Sequence, residues 1–140
     1  MLDLARQLPE WFTAGGLEHM AVDFGFQHRR VAVGDDGQML GFATFIVNEG
    51  IGRITWLGVR PDCHRSGIGR ALALAIEKEL ADAGVQAVVV DTLGDSVDYE
   101  PYARTRAFYR ALGYADQNRV FNDNPEYPEQ LTLRKELLSA

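Results

Sequence analysis

The sequence has few of the features that mark secreted, membrane-spanning or disulfide-linked proteins. One cysteine, Cys63, occurs in 140 residues, so no internal disulfide can form and a reducing compartment is indicated. No apolar run approaches the roughly 20 residues that cross a bilayer. Asp3 and Arg6 interrupt the apolar stretch at the N-terminus, where a signal peptide would be uniformly apolar. We therefore predict a cytoplasmic protein with no membrane partner.

Positive charge and metal-binding patterns are also scarce. Fourteen Lys and Arg against twenty Asp and Glu give a formal net charge of −6, whereas nucleic-acid binding needs a concentrated basic face. The histidines at positions 19, 28 and 64 form no ligand spacing, so we predict no metal site. No G-x-S-x-G elbow provides a serine nucleophile. Because no linker or repeat divides the chain, residues 1–140 are predicted to form one domain.

A glycine-rich junction at residues 59–71 is the most informative feature that is present. An apolar run passes through a proline turn into the start of an amphipathic helix, with Gly67 and Gly69 at that start. Glycines let the backbone approach a ligand closely, and the first N–H groups of a helix have no partner within it. A phosphate can therefore bind there. A Walker loop is not matched because no Lys follows Gly69, and the dinucleotide fingerprint is not matched because its third glycine is Leu72.

Two segments resemble the GCN5-related N-acetyltransferases. The acetyl-coenzyme A (acetyl-CoA) loop of that family, V-x-P-x-x-[QRH]-x-x-G-x-[GA], is matched at Val59, Pro61, His64, Gly67 and Gly69. Residues 105–114, TRAFYRALGY, are similar to the late helix of the family, A-x-x-[FL]-Y-x-x-x-G-[FY]. The order of strand, glycine-rich loop, helix, strand and late helix agrees as well.

The resemblance implies an α/β (α+β) fold: a mixed, mostly antiparallel twisted sheet of six to seven strands, flanked by helices, whose central strands splay apart around the cofactor. The residue pattern predicts short helices within residues 2–8 and 11–24, interrupted at Pro9 and at Gly15-Gly16. It predicts a helix from Ile68 to Gly84 with Glu77 on its polar side. Strands are predicted at residues 30–33, 39–47, 51–59, 87–90 and 130–134.

The resemblance also implies a binding site for acetyl-CoA. The implied cofactor residues are Leu57, Gly58, Val59, His64, Arg65, Ser66, Gly67, Ile68, Gly69, Arg70, Ala71, Phe108 and Tyr109. In the family, a backbone N–H at the end of the strand before the loop stabilises charge on the thioester oxygen, here within residues 57–59. We expect Gly58 to permit a bulge that frees this N–H, and the pantetheine arm to pair with the strand edge.

The implied reaction is acetyl transfer to a primary amine by direct attack in a ternary complex. Tyr109 is the candidate acid for the leaving thiolate, although an ordinary packing role is the alternative. Many relatives carry a Glu where this chain has Arg53. We therefore name Glu49, acting through water, as the candidate base, with Asp91 and residues 95–100 as alternatives.

The acceptor is predicted to be a small-molecule or peptide amine. Homodimers are frequent in the family, and exposed aromatic residues such as Trp11 or Phe121 are candidates for an interface. Two other functions stay open. A non-catalytic acyl-CoA sensor would keep the loop and lack the base, which Arg53 favours. A nucleotide-binding protein would use the same helix start.

Overall fold

The computed structural model describes residues 1–96, 98–125 and 127–137. In these residues, one six-stranded sheet is flanked by four α-helices, and a short 3-10 turn, Pro61–Cys63, follows the third strand. In chain order the elements are α1 (Leu2–Ala5), α2 (Ala14–Asp23), β1 (His28–Val33), β2 (Met39–Asn48), β3 (Ile51–Val59), α3 (Ile68–Asp82), β4 (Ala87–Leu93), α4 (Glu100–Ala111), β5 (Ala115–Phe121) and β6 (Glu129–Glu136). Within this described part, no helix is both long and apolar enough to cross a bilayer.

The two central strands separate along their length. The strands lie in the order β1-β2-β3-β4-β6-β5, and every neighbouring pair is antiparallel except β3 with β4. Residues 51–54 of β3 pair with residues 87–90 of β4, and no pairing follows. Because β3 continues to Val59 and β4 to Leu93, a wedge opens between residues 55–59 and 91–93, which we call the gap. The predicted mixed sheet with splayed central strands is confirmed.

Hydrophobic cores lie on both faces of the sheet. The larger core joins the sheet to α3 and α4 and includes Ile54, Leu72, Ile76, Val88, Val90, Tyr109, Leu131 and Leu133. The smaller core packs α1 and α2 against the opposite face and includes Leu4, Leu8, Met20 and Phe42. Leu8 belongs to the segment that connects α1 with α2, so this connection lies beside the sheet rather than in solvent.

The predicted interruption at Gly15-Gly16 is wrong, because both glycines lie in the first turn of α2. Thr13 caps this helix by accepting a hydrogen bond from the Gly16 N–H, with an N–O distance of 3.1 Å. Such a cap satisfies one of the N–H groups that a helix start leaves unpaired. The cap therefore supports a helix start at two residues of low helix propensity.

Glu77 was expected on the polar side of α3, and this expectation is wrong. The residue is 6% exposed. Its carboxylate accepts a hydrogen bond from the Tyr114 hydroxyl at 3.0 Å and one from Lys135 Nζ at 2.6 Å. Partners supplied by the late helix end and by β6 make burial of this charge tolerable, and helical periodicity does not reveal such partners.

The bulge expected at Gly58 is also wrong, because the irregularity in β3 lies three residues earlier, at Thr55. Gly58 pairs regularly with Phe42, whereas Thr55 is the β3 residue that has no partner in β2. Gly58 is instead required for close packing, since a Cβ added there would lie 2.7 Å from Cε1 of Phe42. Strand β5 was not predicted from its pattern, because all seven of its residues are exposed and show no apolar alternation.

Candidate active site

The edge of β3 that borders the gap carries free backbone groups. The Arg60 N–H donates to the Leu40 carbonyl at 2.8 Å, so it points toward β2. Successive residues of a strand direct their N–H groups to opposite sides. The N–H groups of Leu57 and Val59 therefore point into the gap, and that of Gly58 points toward β2.

The start of α3 leaves further N–H groups unused by the helix. The first helical hydrogen bond runs from the Ala71 N–H to the Gly67 carbonyl at 2.9 Å. The N–H groups of Ile68, Gly69 and Arg70 precede this bond, and no side chain caps them. Gly67 has φ of 87°, a left-handed conformation that an L side chain rarely adopts. This helix start is thus shaped to bind an anion.

A cavity of about 470 Å³ joins these two features. It is lined by Leu8, Trp11, Phe12, Leu57, Gly58, Val59, Cys63, His64, Arg65, Gly67, Ile68, Gly69, Arg70, Arg104, Thr105, Ala107, Phe108 and Tyr109. Three of these residues are arginines, and none of the lining residues in the described ranges is an Asp or Glu. The cavity is therefore locally cationic in a chain whose formal net charge is −6.

Most of the predicted cofactor residues meet at this cavity, and Ser66 and Ala71 are the two that do not line it. The Ser66 hydroxyl donates instead to the Cys63 carbonyl, and the Ala71 N–H is used within α3. The structure does not bring Glu49 to the cavity. Glu49 lies in the turn between β2 and β3, which the nine residues of β3 separate from the loop by about 30 Å.

Tyr109 presents a protonated phenol at the cavity wall. It is 6% exposed and packs edge-on against the rings of Phe108 and Tyr114, with centroids 5.0 and 5.4 Å away. Burial raises the pKa of Tyr109 well above its usual value. No hydrogen bond to its hydroxyl forms within residues 1–96, 98–125 and 127–137. The group is therefore a neutral donor without a partner.

His64 occupies the open strand edge. Its Nε2 donates to the Val59 carbonyl at 2.8 Å, and its ring lies edge-on to Trp11 with centroids 5.5 Å apart. One backbone acceptor of the β3 edge is therefore already in a hydrogen bond, while carbonyl oxygens retain a second lone pair.

Comparison with known protein families gives a match that includes both motif segments. Residues 3–114 match the acetyltransferase (GNAT) family. The chain belongs to the GNAT family. This finding confirms the family that the two motifs predicted.

Curated relatives of this GNAT chain include two mycothiol acetyltransferases. The protein from Arthrobacter sp. (strain FB24) is 31% identical over 116 residues, which are 79% of this chain and 30% of the relative. The protein from Pseudarthrobacter chlorophenolicus is 34% identical over 119 residues, which are 80% of this chain and 31% of the relative. The chain thus spans under a third of the length of these relatives.

Solved structures share the GNAT fold. A putative GNAT-family acetyltransferase from Desulfovibrio desulfuricans superposes with a TM-score of 0.81 at 22% identity, covering 98% of this chain and 90% of that one. The ribosomal-protein-S18-alanine N-acetyltransferase from Escherichia coli superposes with a TM-score of 0.76 at 21% identity, covering 99% of this chain and 89% of that one. An aminoglycoside 6'-N-acetyltransferase complexed with coenzyme A superposes with a TM-score of 0.73 at 19% identity, covering 98% of this chain and 90% of that one.

The N-terminal segment supplies a wall of the cavity that the motifs of this GNAT chain did not reveal. Trp11 Nε1 donates to the Pro101 carbonyl at 3.0 Å and to the Thr105 hydroxyl at 3.1 Å. The Tyr102 hydroxyl donates to the Trp11 carbonyl at 2.7 Å. About 90 residues separate Trp11 from these partners, so no local sequence signal connects them. Together they hold the α1–α2 connection against α4.

Two of the candidate bases, Asp91 and Asp95, are engaged with positive or polar groups outside the cavity. Asp91 forms an ion pair with Arg53 and accepts a hydrogen bond from the Thr132 hydroxyl at 2.6 Å. Asp95 pairs with Arg119, whose hydrogen bond and charge lower the pKa of this carboxyl. Val97, within the same predicted segment, lies outside the described residues. Nowhere in the described ranges do three His, Cys, Asp or Glu side chains come together as a metal site.

Proposed function

We propose that the protein transfers the acetyl group of acetyl-CoA to an amine by direct attack, with both substrates bound. The observation that carries this proposal is one cavity that combines the free N–H groups of the α3 start, the open edge of β3 and the Tyr109 phenol. Each of these features matches a different part of an acyl-CoA molecule.

The residues present fit acetyl-CoA. Phosphate oxygens can accept from the N–H groups at the α3 start, and Arg65 and Arg70 line the cavity beside that start. The N–H groups of Leu57 and Val59 are available for an extended chain that carries amides, as when a peptide adds to a sheet edge. The rings of Phe108, Phe12 and Trp11 supply apolar lining for the arm.

Acetyl-CoA supplies a thioester, whose carbonyl carbon an amine attacks while the sulfur leaves. Negative charge grows on the thioester oxygen during the attack. The N–H groups of Leu57 and Val59 can donate to this oxygen, whereas the Gly58 N–H points toward β2. Tyr109 donates to the departing sulfur. Because burial keeps this phenol protonated, it is in the donor state throughout the neutral range.

We expect the amine proton to leave through solvent. No carboxylate in the described part of the chain lines the cavity, and Nε2 of His64, which does line it, is already hydrogen-bonded to the Val59 carbonyl. An alkylammonium with a pKa near ~10.4 must lose its proton before it attacks. We therefore expect the rate constant at low amine concentration to rise about tenfold per pH unit between pH 6.5 and pH 8.5. A plateau that begins below pH 7.5 would instead indicate a general base within the protein.

The test for the cofactor is calorimetric titration with acetyl-CoA, coenzyme A and ATP. Arg70→Glu should weaken acetyl-CoA binding by about tenfold or more, since it places a carboxylate at the proposed phosphate site. Lys78→Glu makes the same charge change near the other end of α3, where Lys78 is 79% exposed, and should leave the affinity unchanged. Equal losses in both variants, or tighter binding of ATP, would contradict the proposal.

The test for the reaction is thiol release with a panel of amines. The names of the relatives and structural neighbours suggest three classes of acceptor to test: an amine of the mycothiol type, a peptide with an N-terminal alanine, and an aminoglycoside. Thiol release that depends on one of these amines supports the enzyme. Acetyl-CoA binding without release from any of them favours the sensor.

The acyl-CoA sensor is supported by one observation. Arg53, paired with Asp91, stands where the family resemblance leads us to expect a Glu. Tyr109→Phe separates the two functions, because an enzyme should lose turnover with little change in acetyl-CoA affinity. Three further expectations stay predictions: the cytoplasmic location, the single-domain organisation and the homodimer. Light scattering after size-exclusion chromatography measures the oligomeric state.

A further inference from the structure

Thr92 has a buried hydroxyl with no hydrogen-bond partner. Within the part of the chain that the structure describes, it is the buried side-chain polar atom left unpaired, and the residue is 3% exposed. Other buried threonines are paired: Thr44 bonds to Thr55 and Thr132 to Asp91. An unpartnered buried hydroxyl destabilises the folded state, so its presence calls for an explanation.

Thr92 lies on the side of β4 that faces α4, beside the gap. Side chains alternate along a strand, so Thr92 shares a face with Val88 and Val90, which pack in the same core as Tyr109. Val90 is the last β4 residue that pairs with β3. Thr92 is therefore in the part of β4 that has separated from β3.

Tyr109 stands at about the same level along β4. Arg106 Nη1 donates to the Leu93 carbonyl at 2.6 Å, which places this part of α4 over the end of β4. Tyr109 follows Arg106 by three residues, so it lies about 4.5 Å further along the helix axis. One to two residues of a strand span the same distance. Tyr109 belongs to the same core as Val88 and Val90, which precede Thr92 in β4. The helix therefore runs back along the strand, which puts Tyr109 near the level of Thr92.

We propose that Thr92 is a positioning residue for the acetyl transfer, which donates its hydroxyl hydrogen to the Tyr109 oxygen once the gap holds both substrates. The proposal rests on the proposed function. The hydroxyls of Thr92 and Tyr109 both lack a hydrogen-bond partner in the part of the chain that the structure describes, and each can both donate and accept a hydrogen bond. Thr92 does not line the cavity, so it acts through Tyr109 rather than on a substrate.

The role of Thr92 follows from the charges in the reaction. The amine nitrogen forms a bond to the acyl carbon as the carbon–sulfur bond breaks, and the electron pair of that bond goes to sulfur. Tyr109 gives its hydroxyl proton to the sulfur and becomes a phenolate in a dry environment. A hydrogen bond from Thr92 stabilises that phenolate. The attacking nitrogen loses one proton as it becomes an amide, and this proton returns through water to Tyr109.

The experiment compares Thr92→Val with Thr92→Ser, using the amine that gives the highest thiol release from the native protein. Valine keeps the shape and removes the hydroxyl, so kcat should fall about tenfold, while KM for acetyl-CoA stays unchanged. Serine should restore most of kcat. In the absence of substrates, Thr92→Val should melt no lower than the native protein, because it removes an unpaired polar atom.

Thr44→Val is the matched control for stability. It removes an equally buried hydroxyl that has a partner, Thr55, and should therefore lower the melting temperature. Native kcat in Thr92→Val would overturn the proposal, as would an equal loss of kcat in Thr92→Ser. A native protein that releases no thiol with any amine would overturn the proposed function itself, and the role of Thr92 with it.

Discussion

The Trp11 indole and the Thr105 hydroxyl are joined by a hydrogen bond of 3.1 Å across 94 residues of sequence. The same indole N–H also reaches the Pro101 carbonyl, and Arg104 stacks over the ring at 5.3 Å. Trp11 therefore ties the α1–α2 connection to α4, and both segments are walls of the cavity.

Replacing Trp11 tests this tie. Trp11→Phe keeps an aromatic ring and removes the indole N–H, so we expect the free energy of unfolding to fall by about 1–2 kcal/mol. Urea denaturation measures the change. Phe26→Leu, at a side chain that is 86% exposed, is the control and should leave the midpoint unchanged. Equal midpoints for both variants would show that the Trp11 hydrogen bonds do not hold the wall.

A methyl group at Gly58 should destabilise the protein. Its Cβ would lie 2.7 Å from the ring of Phe42, which is fully buried and has little room to move. We expect Gly58→Ala to cost about 1–3 kcal/mol of unfolding free energy. Gly15→Ala, where the nearest atom is Thr13 Oγ1 at 3.9 Å, should stabilise α2 by about 0.5 kcal/mol. Melting temperatures that shift in the same direction would contradict this packing.

Alkaline pH should unfold the protein through its tyrosines. Burial raises the pKa of Tyr102 to about 12 and raises the pKa values of Tyr109, Tyr114 and Tyr127 further. Because the folded state favours the neutral phenols, their contribution to stability is complete below pH 10. The contribution of Tyr102 is lost as pH rises to about 12, and that of the other three tyrosines is lost at higher pH. Each phenol contributes a slope of up to about 1.4 kcal/mol per pH unit in that window.

Phenolate absorbance near 295 nm provides the measurement. We expect these four tyrosines to ionise together with the loss of circular dichroism, rather than gradually at pH 10. Tyr102→Phe should make the fall in stability between pH 10 and pH 12 less steep, although it also removes the hydrogen bond to the Trp11 carbonyl. Full ionisation of all phenols at pH 10 in the folded protein would refute the expected shifts.

Two glutamates of α3 should differ sharply in their effect on stability. Glu77→Ala leaves Lys135 and the Tyr114 hydroxyl without their buried partner, so we expect a loss of about 3 kcal/mol. Glu79→Ala removes a surface ion pair with Arg30, and the loss should stay below about 1 kcal/mol. Chemical denaturation of both variants at pH 7 gives the comparison. A Glu77 loss as small as that of Glu79 would mean that this network is not stabilising.

The sequence alone predicted the elements whose signals are local. The glycine-rich junction, the amphipathic pattern of α3, the β2–β3 turn and the family resemblance all depend on residues that are close in the chain. Such signals arise because helix starts, turns and apolar periodicity are set by neighbouring residues. They were sufficient to indicate the family, the splayed sheet and most of the residues that meet at the cavity.

Tertiary structure decided what depends on contacts between distant residues. Trp11 enters the cavity wall through partners about 90 residues away, and Glu77 is buried because Lys135 and Tyr114 reach it. Thr92 carries a buried hydroxyl that no side chain in the described part of the chain reaches. A residue type and its spacing do not specify whether a partner arrives from another element. Burial and pairing of polar groups follow from packing, and packing is a property of the whole chain.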